Sequence, residues 1–549
     1  MKNYIQKIKE NKKTFLAMLI ILIIGIFLRT YHYDYLLRFG KDQARDAALI
    51  QSITEGKAPL PLLGPSMNEL AFRLGPIYYY LESLSAKIFG FAPPALAYPE
   101  LLFSILTIPM LFFFLKKYFA DLISIALTAV YAVSFYAVQN GRFAWNPNSL
   151  MLFSMIFLYA FLELADKNSQ KKWPWAVLAG AAFGIGIQLH LLYAAIVSIV
   201  FVITAIYLIK KNLLTLKNIA FVLLVAFVLN IPQVVSEIQT HGGNIRAFFS
   251  GTGHETQNNI PFPTNIFVDM GWHAQADSMF VAPYGSDTKL HIDTLSDSLS
   301  GNKNEMKAIM KHQADIWYVS LGIILSLAGY ILLFYYARKE KDKKKKLFLQ
   351  IISLYAVIAF LIFIPLAHML ELRYLLIVQF LPFILLGLLI KFLEEKVGRW
   401  TIYLSLISLA LLFAWNINAN WSNFQSFLKG KGDPGIAIWG EEKAAGNFIL
   451  AHSAPNQAVQ MVYIPDDATK FVRPLGFFNE SIQDYIVSLR DMQVDPPAFN
   501  KNDAYFALIL RKKTERNALK REVKKLNTFH ITNSASFGRL EVYKLELIR

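Results

Sequence analysis

Cysteine is absent from the 549 residues of this chain. Its absence excludes disulfide bonds, thiolate metal ligands and cysteine nucleophiles, whichever compartment the polar regions occupy. A bound metal would therefore need histidine or carboxylate ligands. Charged residues are also scarce, at 17%, whereas about 25% is usual in soluble proteins.

Hydrophobic residues take the place of the missing charges. They make up 55% of the sequence, which includes 43 Phe, and the mean hydropathy is positive. These values predict a membrane protein that contacts lipids. The net charge of +16 does not indicate a nucleic-acid partner, because the basic residues form short clusters between apolar runs rather than one polar domain.

Apolar stretches of about 17 to 25 residues can cross a bilayer as helices. The sequence has eleven, and we therefore predict an α-helical polytopic protein with about 11 transmembrane helices. The first stretch follows a basic arm and resembles a signal peptide, but its flank lacks the small residues of a cleavage site, so we interpret it as an uncleaved span. The stretches are 14–30, 97–115, 121–138, 149–165, 174–190, 193–209, 219–236, 315–337, 348–366, 374–391 and 400–417.

The basic residues predict the orientation of these spans. The N-terminal arm and alternate connections hold 23 Lys and Arg, whereas the short connections on the other side hold two. The positive-inside rule places the N-terminus in the cytoplasm of a multi-pass cell-membrane protein. Residues 31–96, residues 237–314 and the C-terminal region then lie outside. Segment 75–91 is predicted to be an interfacial helix, because counting it as a span would invert every later loop.

Two domains follow from the change in pattern near residue 420. Residues 1–420 form the predicted transmembrane domain, and residues 421–549 form a small extracytoplasmic α/β domain, since apolar residues alternate in 458–464 and 504–510. The basic helix predicted at 511–525 is interpreted as a solvated face.

The first outer region contains an acid pair in "RFGKDQARDAALI", residues 38–50. A helix starting at Gly40 or Lys41 would place Asp42, Arg45 and Asp46 on one face, with both carboxylates flanking the guanidinium. A structural interpretation is that Asp42 complements the helix N-terminus and Arg45 bridges to a neighbour. A functional interpretation is that one carboxylate serves as a base.

Three arginines beside apolar segments favour the functional interpretation. They are Arg73 in "FRLGP", Arg142 in "NGRFAWNPN" and Arg373 in "ELRY", all on the predicted outer face. Ionisable groups at membrane depth are costly and tend to pair or to serve a pathway, and the planar guanidinium suits phosphate. An acid facing such cations is typical of group transfer from a lipid phosphate, whereas a transporter would more often place charges within its spans.

The order and spacing of several segments resemble bacterial GT-C membrane glycosyltransferases. The similar group contains protein O-mannosyltransferases and the lipid A aminoarabinose transferase, and the likeness runs over about residues 14–420. It is carried by "DQARDAALIQSITEGKAPLPLLGPS", "RLGPIYYYLESLSAKIFG", "LKKYF", "NGRFAWNPNSLMLF" and "ELRYLLIVQFLPFILL". The resemblance implies a GT-C-like fold and a polyprenyl-phosphate-linked sugar as donor.

The resemblance also implies roles for individual residues. Asp42 matches the proposed catalytic aspartate, and Asp46 is a second candidate because Gln43 stands where mannosyltransferases have Glu. The expected mechanism is an inverting displacement in which Asp42 accepts a proton from the acceptor hydroxyl. The donor phosphate would bind Arg73, Arg142 and Arg373, and the pocket would include Gln43, Arg45 and His190. His190 could equally be a capped interface histidine.

The acceptor and the need for a metal stay open. The acceptor is a glycan, a lipid or a protein, and GT-C enzymes differ in their use of a divalent cation. His273 with Asp277, and His291 with Asp293, are weak candidates for metal ligands, and region 237–314 is more simply interpreted as a mobile cover with hinges at "HGG" and "SGTG". Two alternative functions are a surface-polysaccharide polymerase or ligase that uses lipid diphosphates and a transporter of lipid-linked sugars.

Overall fold

The chain consists mainly of helices followed by a small sheet. The computed structural model describes residues 12–66, 72–169, 171–255, 262–284, 313–455, 457–478, 482 and 499–548. The helices of the first half are α1 (Lys12–Thr30), α2 (Tyr33–Leu36), α3 (Lys41–Thr54), α4 (Ile77–Phe89), α5 (Pro93–Leu96), α6 (Tyr98–Leu115), α7 (Asp121–Val133), α8 (Phe135–Asn140), α9 (Leu150–Ala165), α10 (Trp173–Leu189), α11 (Leu191–Lys210), α12 (Leu216–Leu229), α13 (Ile231–Gln239), α14 (Gly243–Glu255) and α15 (Phe262–Val281).

The second half completes the helical domain and adds the sheet. The helices are α16 (Gln313–Lys339), α17 (Lys343–Phe363), α18 (Leu381–Val397), α19 (Trp400–Leu428), α20 (Trp439–Ala451), α21 (Val472–Leu475) and α22 (Lys513–Leu526). Short 3-10 helices lie at Asn146–Ser149, Ile364–Met369, Leu372–Val378 and Asp466–Phe471. The strands are β1 (Val459–Tyr463), β2 (Ala504–Leu510), β3 (Phe529–Phe537) and β4 (Leu540–Leu547).

The predicted class, a multi-pass helical membrane protein, is confirmed. Among the described residues, seven helices are long and apolar enough to cross a membrane: α1, α6, α9 with the 3-10 turn before it, α11, α16, α17 and α19. Two bent pairs bring the number to nine if each is one span: α12 with α13, bent by 63°, and Leu372–Val378 with α18, bent by 60°. The remaining predicted spans coincide with the shorter apolar helices α7 and α10.

Helix α4 corresponds to the segment predicted to lie at the interface. It has 13 residues, or about 20 Å at 1.5 Å per residue, which is too short to cross the hydrocarbon core. Its buried face packs on α3 and α10. The segment therefore packs against the helix that carries the acid pair and adds no span.

Helix α15 corrects the interpretation of its own residues, 262–281, as part of a mobile cover. Residues 271–282 at its C-terminal end are nearly all buried, and α15 packs against α16, α18 and the 3-10 helix Ile364–Met369. It therefore belongs to the helical domain. The polar residues Asp269, His273 and Asp277 interrupt its apolar character, which is why hydropathy alone does not reveal a buried helix here.

The C-terminal region forms a four-stranded mixed sheet of order β1-β2-β4-β3. Strand β2 pairs parallel with β1 and antiparallel with β4, and each of its residues is buried. An apolar run buried on both faces is typical of a central strand covered by helices. The sheet confirms the predicted small α/β region, and α19 runs to Leu428, beyond the predicted boundary at residue 420.

The C-terminal domain contacts the segment that leads into α3. The backbone N–H of Phe39 donates to the carbonyl of Ala437 at 3.1 Å, and that of Trp439 donates to the carbonyl of Leu37 at 2.8 Å. The rings of Phe39 and Trp439 meet edge to face, with centroids 5.2 Å apart. These contacts fix the backbone three residues ahead of Asp42 and so help to orient α3.

Candidate active site

The first turn of helix α3 faces a cavity. A cap fixes the N-terminus of this helix, and buried residues further along it pack against the protein. The backbone N–H of Gly40 donates to Oε1 of Gln43 at 3.0 Å, an interaction typical of a capping box. The Gln43 amide then donates to the carbonyl of Ala144 at 3.0 Å. Ala47 and Ile50, further along the helix, are fully buried. Gln43, predicted as a pocket residue, instead holds the helix start in place.

A polar cleft of about 140 Å³ lies in front of this turn. We call it the acid–arginine cavity. Among the predicted site residues, it brings together Asp42, Arg45, His190 and Arg373, which are far apart in the sequence. Its lining residues are Asp42, Arg45, Pro65, Ser66, Leu74, Trp145, Asn146, Pro147, His190, Arg373 and Tyr374.

The two aspartates of α3 have different environments. The side chain of Asp42 is 53% exposed and its Oδ1 lies 3.4 Å from Nη1 of Arg45. The side chain of Asp46 is only 5% exposed and its Oδ1 lies 2.8 Å from Nε of Arg45, while the hydroxyl of Tyr79 also donates to Asp46, at 3.0 Å. Burial raises the pKa of the Asp46 carboxyl, and the Arg45 hydrogen bond opposes that rise. Asp46 therefore anchors Arg45 behind the cavity, and Asp42 is the carboxylate that faces it.

Arg373 supplies a cation to the cavity wall. Its Nε lies 2.9 Å from Oε2 of Glu371, with the two side chains 40% and 35% exposed. The guanidinium lies over the ring of Tyr374, 5.0 Å from its centroid, and 6.0 Å from the ring centroid of Trp145. Aromatic faces support a guanidinium without neutralising it, so Arg373 has one anionic neighbour and a partly exposed fork that a phosphate could contact.

His190 lies in the turn between α10 and α11 and caps the second helix. The backbone N–H of Leu192 donates to its Nδ1 at 3.2 Å. Burial, helped by the charge of Arg373, lowers the pKa of His190 from 6.5 to about 4. The ring is therefore neutral near pH 7, and because Nδ1 accepts a hydrogen bond, the proton resides on Nε2. His190 therefore both caps α11 and lines the cavity, so the two interpretations of this residue are compatible.

His190 makes the free energy of unfolding depend on pH. Its pKa is lower in the folded chain, so the unfolded chain binds the proton first, and stability falls as the pH drops from about 6.5 to about 4, by about 3 kcal/mol in total. His190→Asn should keep an N-cap acceptor and flatten this part of the profile, measured as melting temperature against pH in detergent. His241→Asn, at an exposed histidine, should leave the profile unchanged. An unaltered slope in the His190 variant would contradict the assigned shift.

Arg142, predicted to bind the donor phosphate, is corrected by the structure. It is 1% exposed and does not line the acid–arginine cavity. Its Nη1 donates to the carbonyls of Leu28 at 2.8 Å and Arg29 at 2.9 Å, and its Nη2 donates to that of Tyr31 at 2.7 Å. The carbonyls of Leu28 and Arg29 belong to the last turn of α1, and that of Tyr31 directly follows the helix. Cations are favoured here because the end of a helix leaves carbonyls unsatisfied. Arg142 therefore closes α1.

Replacement of Arg142 should destabilise the protein rather than weaken donor binding. Arg142→Met leaves three buried carbonyls without donors, and we expect a loss of about 3 kcal/mol or more in unfolding free energy. Thermal unfolding in detergent measures it, with Arg246→Met at an exposed arginine of α14 as the matched control. A variant that melts normally but has lost affinity for a polyprenyl phosphate would restore the phosphate role.

Arg73 stabilises the loop beside the cavity. Its Nε donates to the carbonyl of Gly64 at 2.9 Å, its backbone N–H donates to Oδ1 of Asn244 at 2.8 Å, and it forms an isolated antiparallel bridge with Ser66. A Cβ on Gly64 would lie 2.0 Å from the carbonyl oxygen of Gly75. Only glycine at position 64 therefore allows the two backbone segments to come this close. The guanidinium is thus adjacent to the cavity but is not part of its lining.

Several cavity residues escape sequence reasoning. Trp145 and Asn146 lie within the Arg142 segment "NGRFAWNPN", and Tyr374 directly follows Arg373. The Asn146 amide donates to the carbonyl of Leu189 at 2.6 Å, which ties the 3-10 turn before α9 to the end of α10. The sequence signal is the cluster "FAWNPN", where two aromatic residues, two amides and a proline adjoin a membrane span.

No metal centre is found among the described residues, since no group of three or more His, Asp or Glu converges there. The candidate ligands of α15 have other neighbours: Nε2 of His273 lies 3.7 Å from Oδ1 of Asp269, and Asp277 accepts a hydrogen bond of 2.6 Å from Ser326. His291 and Asp293 lie outside the described residues.

Known proteins share this fold and part of this sequence. Residues 74–235, which include His190 and the Trp145–Pro147 segment of the cavity, match the family model described as dolichyl-phosphate-mannose-protein mannosyltransferase. No curated protein matches the sequence. The structure of ArnT from Cupriavidus metallidurans in the apo state is similar over 98% of both chains, with 12% identity and a TM-score of 0.52.

Two further solved structures are similar at lower scores. ArnT from Cupriavidus metallidurans bound to undecaprenyl phosphate covers 98% of both chains, with 12% identity and a TM-score of 0.47. The Archaeoglobus fulgidus oligosaccharyltransferase in complex with Zn and sulfate matches 96% of this chain and 72% of its own, with 11% identity and a TM-score of 0.49. The family model thus matches residues 74–235 alone, and the likeness to apo ArnT extends a shared fold over nearly the whole chain.

Proposed function

We propose that this chain transfers a sugar from a polyprenyl-phosphate donor to an acceptor on the extracytoplasmic face of the membrane. The observation that carries the proposal is the meeting of the half-exposed Asp42 carboxylate with the Arg373 guanidinium and a neutral His190 in one cavity. The family model supports a donor of this class, because its description names a dolichyl phosphate sugar. The positive-inside distribution of lysines and arginines supports the outer location.

The phosphate of the donor is assigned to the Arg373 side of the cavity. A guanidinium can contact two phosphate oxygens and stays charged at every relevant pH. His190 presents an Nε2–H from the adjacent wall, and Asn146 also belongs to the lining. Glu371 balances the charge of Arg373 before the donor arrives, and a phosphate would compete with it for the guanidinium.

Asp42 is assigned as the general base. The acceptor hydroxyl gives its proton to the Asp42 carboxylate as its oxygen bonds to the anomeric carbon, and the bond from that carbon to the phosphate oxygen breaks. The leaving phosphate takes the electron pair, and Arg373 stabilises the developing negative charge. Attack opposite the leaving group inverts the anomeric centre. Arg45, held by Asp46 and Asp42, is assigned as a positioning residue.

Sugar transfer from a labelled lipid tests this function. The purified protein in vesicles receives a polyprenyl phosphate with a radiolabelled sugar, together with membrane glycolipid, glycan or protein fractions as acceptors. We expect label to appear in one acceptor fraction through a new glycosidic bond. Label that moves across the bilayer without a new bond, or that is transferred only from lipid diphosphates, would contradict the proposal.

A further inference from the structure

A second large cavity lies at the other ends of the helices that carry the acid–arginine cavity. Helix α11 starts beside His190 and ends at Lys210, and α9 starts after the turn that contains Asn146 and ends at Ala165. At 1.5 Å per residue, the 20 residues of α11 measure about 30 Å, the thickness of a hydrocarbon core. The two cavities therefore lie on opposite sides of the membrane.

The lining of this second cavity is strongly basic. Its volume is about 760 Å³, and its lining includes seven lysines but a single carboxylate, that of Asp166. We call it the lysine cavity. The lysines come from the C-terminal ends of α6 and α11, from the turn after α9 and from the first turn of α17.

Three of the seven lysines are neutralised by acids. Lys116 pairs with Asp121 at 2.8 Å, Lys344 pairs with Asp166 at 2.6 Å, and Lys117 pairs with Glu163. These ion pairs join neighbouring helix ends, so the positive charges of these three lysines serve structural contacts.

The other four lysines leave an uncompensated positive charge. Within the described part of the chain, none of them has an acidic partner at ion-pair distance, and three of them are exposed. Their charges face one concave space, where like charges repel unless an anion is present. The four are Lys167, Lys211, Lys343 and Lys346.

The walls between the lysines are apolar. Leu162, Leu213 and Phe348 line the same space. The positive-inside rule accounts for lysines at these helix ends, but it does not require them to surround a cavity with hydrocarbon walls. A free anion would use the lysines alone, whereas an amphiphile would use both kinds of surface.

We propose that the lysine cavity binds an anionic phospholipid of the leaflet opposite the acid–arginine cavity. The lysines would hold the phosphate headgroup, and the apolar walls would contact the first part of the acyl chains. Basic pockets between membrane helices on the cytoplasmic side are suited to such headgroups. This inference goes beyond sugar transfer and does not depend on it.

Lipid retention by the full-length protein tests the proposal. Native mass spectrometry after titration with phosphatidylglycerol or phosphatidylcholine reports the bound lipids. The test variant combines Lys167→Gln, Lys211→Gln, Lys343→Gln and Lys346→Gln. The control removes the same charge from exposed lysines of the C-terminal domain, with Lys501→Gln, Lys513→Gln, Lys520→Gln and Lys524→Gln.

We expect the wild type and the control to retain phosphatidylglycerol in preference to phosphatidylcholine, and the test variant to bind it at least about tenfold more weakly. Equal binding by the test variant, or equal loss in the control, would overturn the proposal. Because a quadruple variant can misfold, the wild type is also challenged with millimolar inorganic phosphate. Displacement of the lipid by an excess of short-chain phosphatidylglycerol but not by inorganic phosphate supports a lipid site, and equal displacement by inorganic phosphate overturns it.

Discussion

Asp42→Asn is expected to lower the rate of sugar transfer by about 10²- to 10⁴-fold, the usual contribution of a general base. The amide has nearly the shape of the carboxylate but cannot accept the proton of the acceptor hydroxyl. Asp42 is half-exposed at the cavity and its neighbours on the buried face of α3 do not depend on it, so folding and donor affinity should stay close to those of the wild type.

Single-turnover transfer from a labelled polyprenyl-phosphate sugar measures this effect apart from product release. The matched control is Asp34→Asn, since Asp34 is 66% exposed and lies 3.7 Å from Lys443 rather than at the cavity. Asp46→Asn adds a second comparison, because it removes a buried anchor of Arg45 without removing the base. A normal single-turnover rate in the Asp42 variant would rule out Asp42 as the base.

Arg373→Gln is expected to weaken the binding of a polyprenyl phosphate by about 10- to 100-fold, because a hydrogen bond to a charged group contributes about 1.5 to 3 kcal/mol. Glutamine retains a polar end but neither the charge nor the two-pronged donor. Binding of a fluorescent polyprenyl phosphate to the detergent-solubilised protein gives the Kd directly, without turnover.

Two variants sharpen the assignment of Arg373. Arg246→Gln removes an exposed charge from α14 and should leave the Kd unchanged. Glu371→Gln removes the carboxylate that lies 2.9 Å from Arg373, so it should tighten phosphate binding. If Arg373→Gln binds normally, or if Glu371→Gln binds more weakly than the wild type, the phosphate does not bind at Arg373.

The helical domain was predictable because lipid contact imposes a simple rule on the sequence. Each span needs an uninterrupted apolar run, and the observed helices coincide with those runs. Helix α15 follows another rule: protein encloses its C-terminal part, where Asp269, His273 and Asp277 are buried, and a hydropathy pattern does not distinguish it from an outer loop. The backbone bonds between residues 37–39 and the C-terminal domain join distant parts of the chain and have no local signal.

The arginines show the limit of the functional prediction. Arg142 and Arg373 both adjoin aromatic residues at a membrane edge, yet one is fully buried against backbone carbonyls and the other lines the cavity. A guanidinium suits carbonyl oxygens as well as phosphate oxygens, so composition cannot separate the two roles. The acid pair of α3 shows the same limit. The spacing predicts that Asp42 and Asp46 share a helix face, but only the packing of Tyr79 shows that Asp46 is enclosed.

The central claim is that one carboxylate and one guanidinium face a common donor in the acid–arginine cavity. An experimental structure with a bound polyprenyl phosphate tests it most directly. We expect phosphate oxygens within hydrogen-bonding distance of the Arg373 guanidinium, with the Asp42 carboxylate facing the space next to them. A phosphate bound elsewhere, with Asp42 turned away from it, would contradict the account.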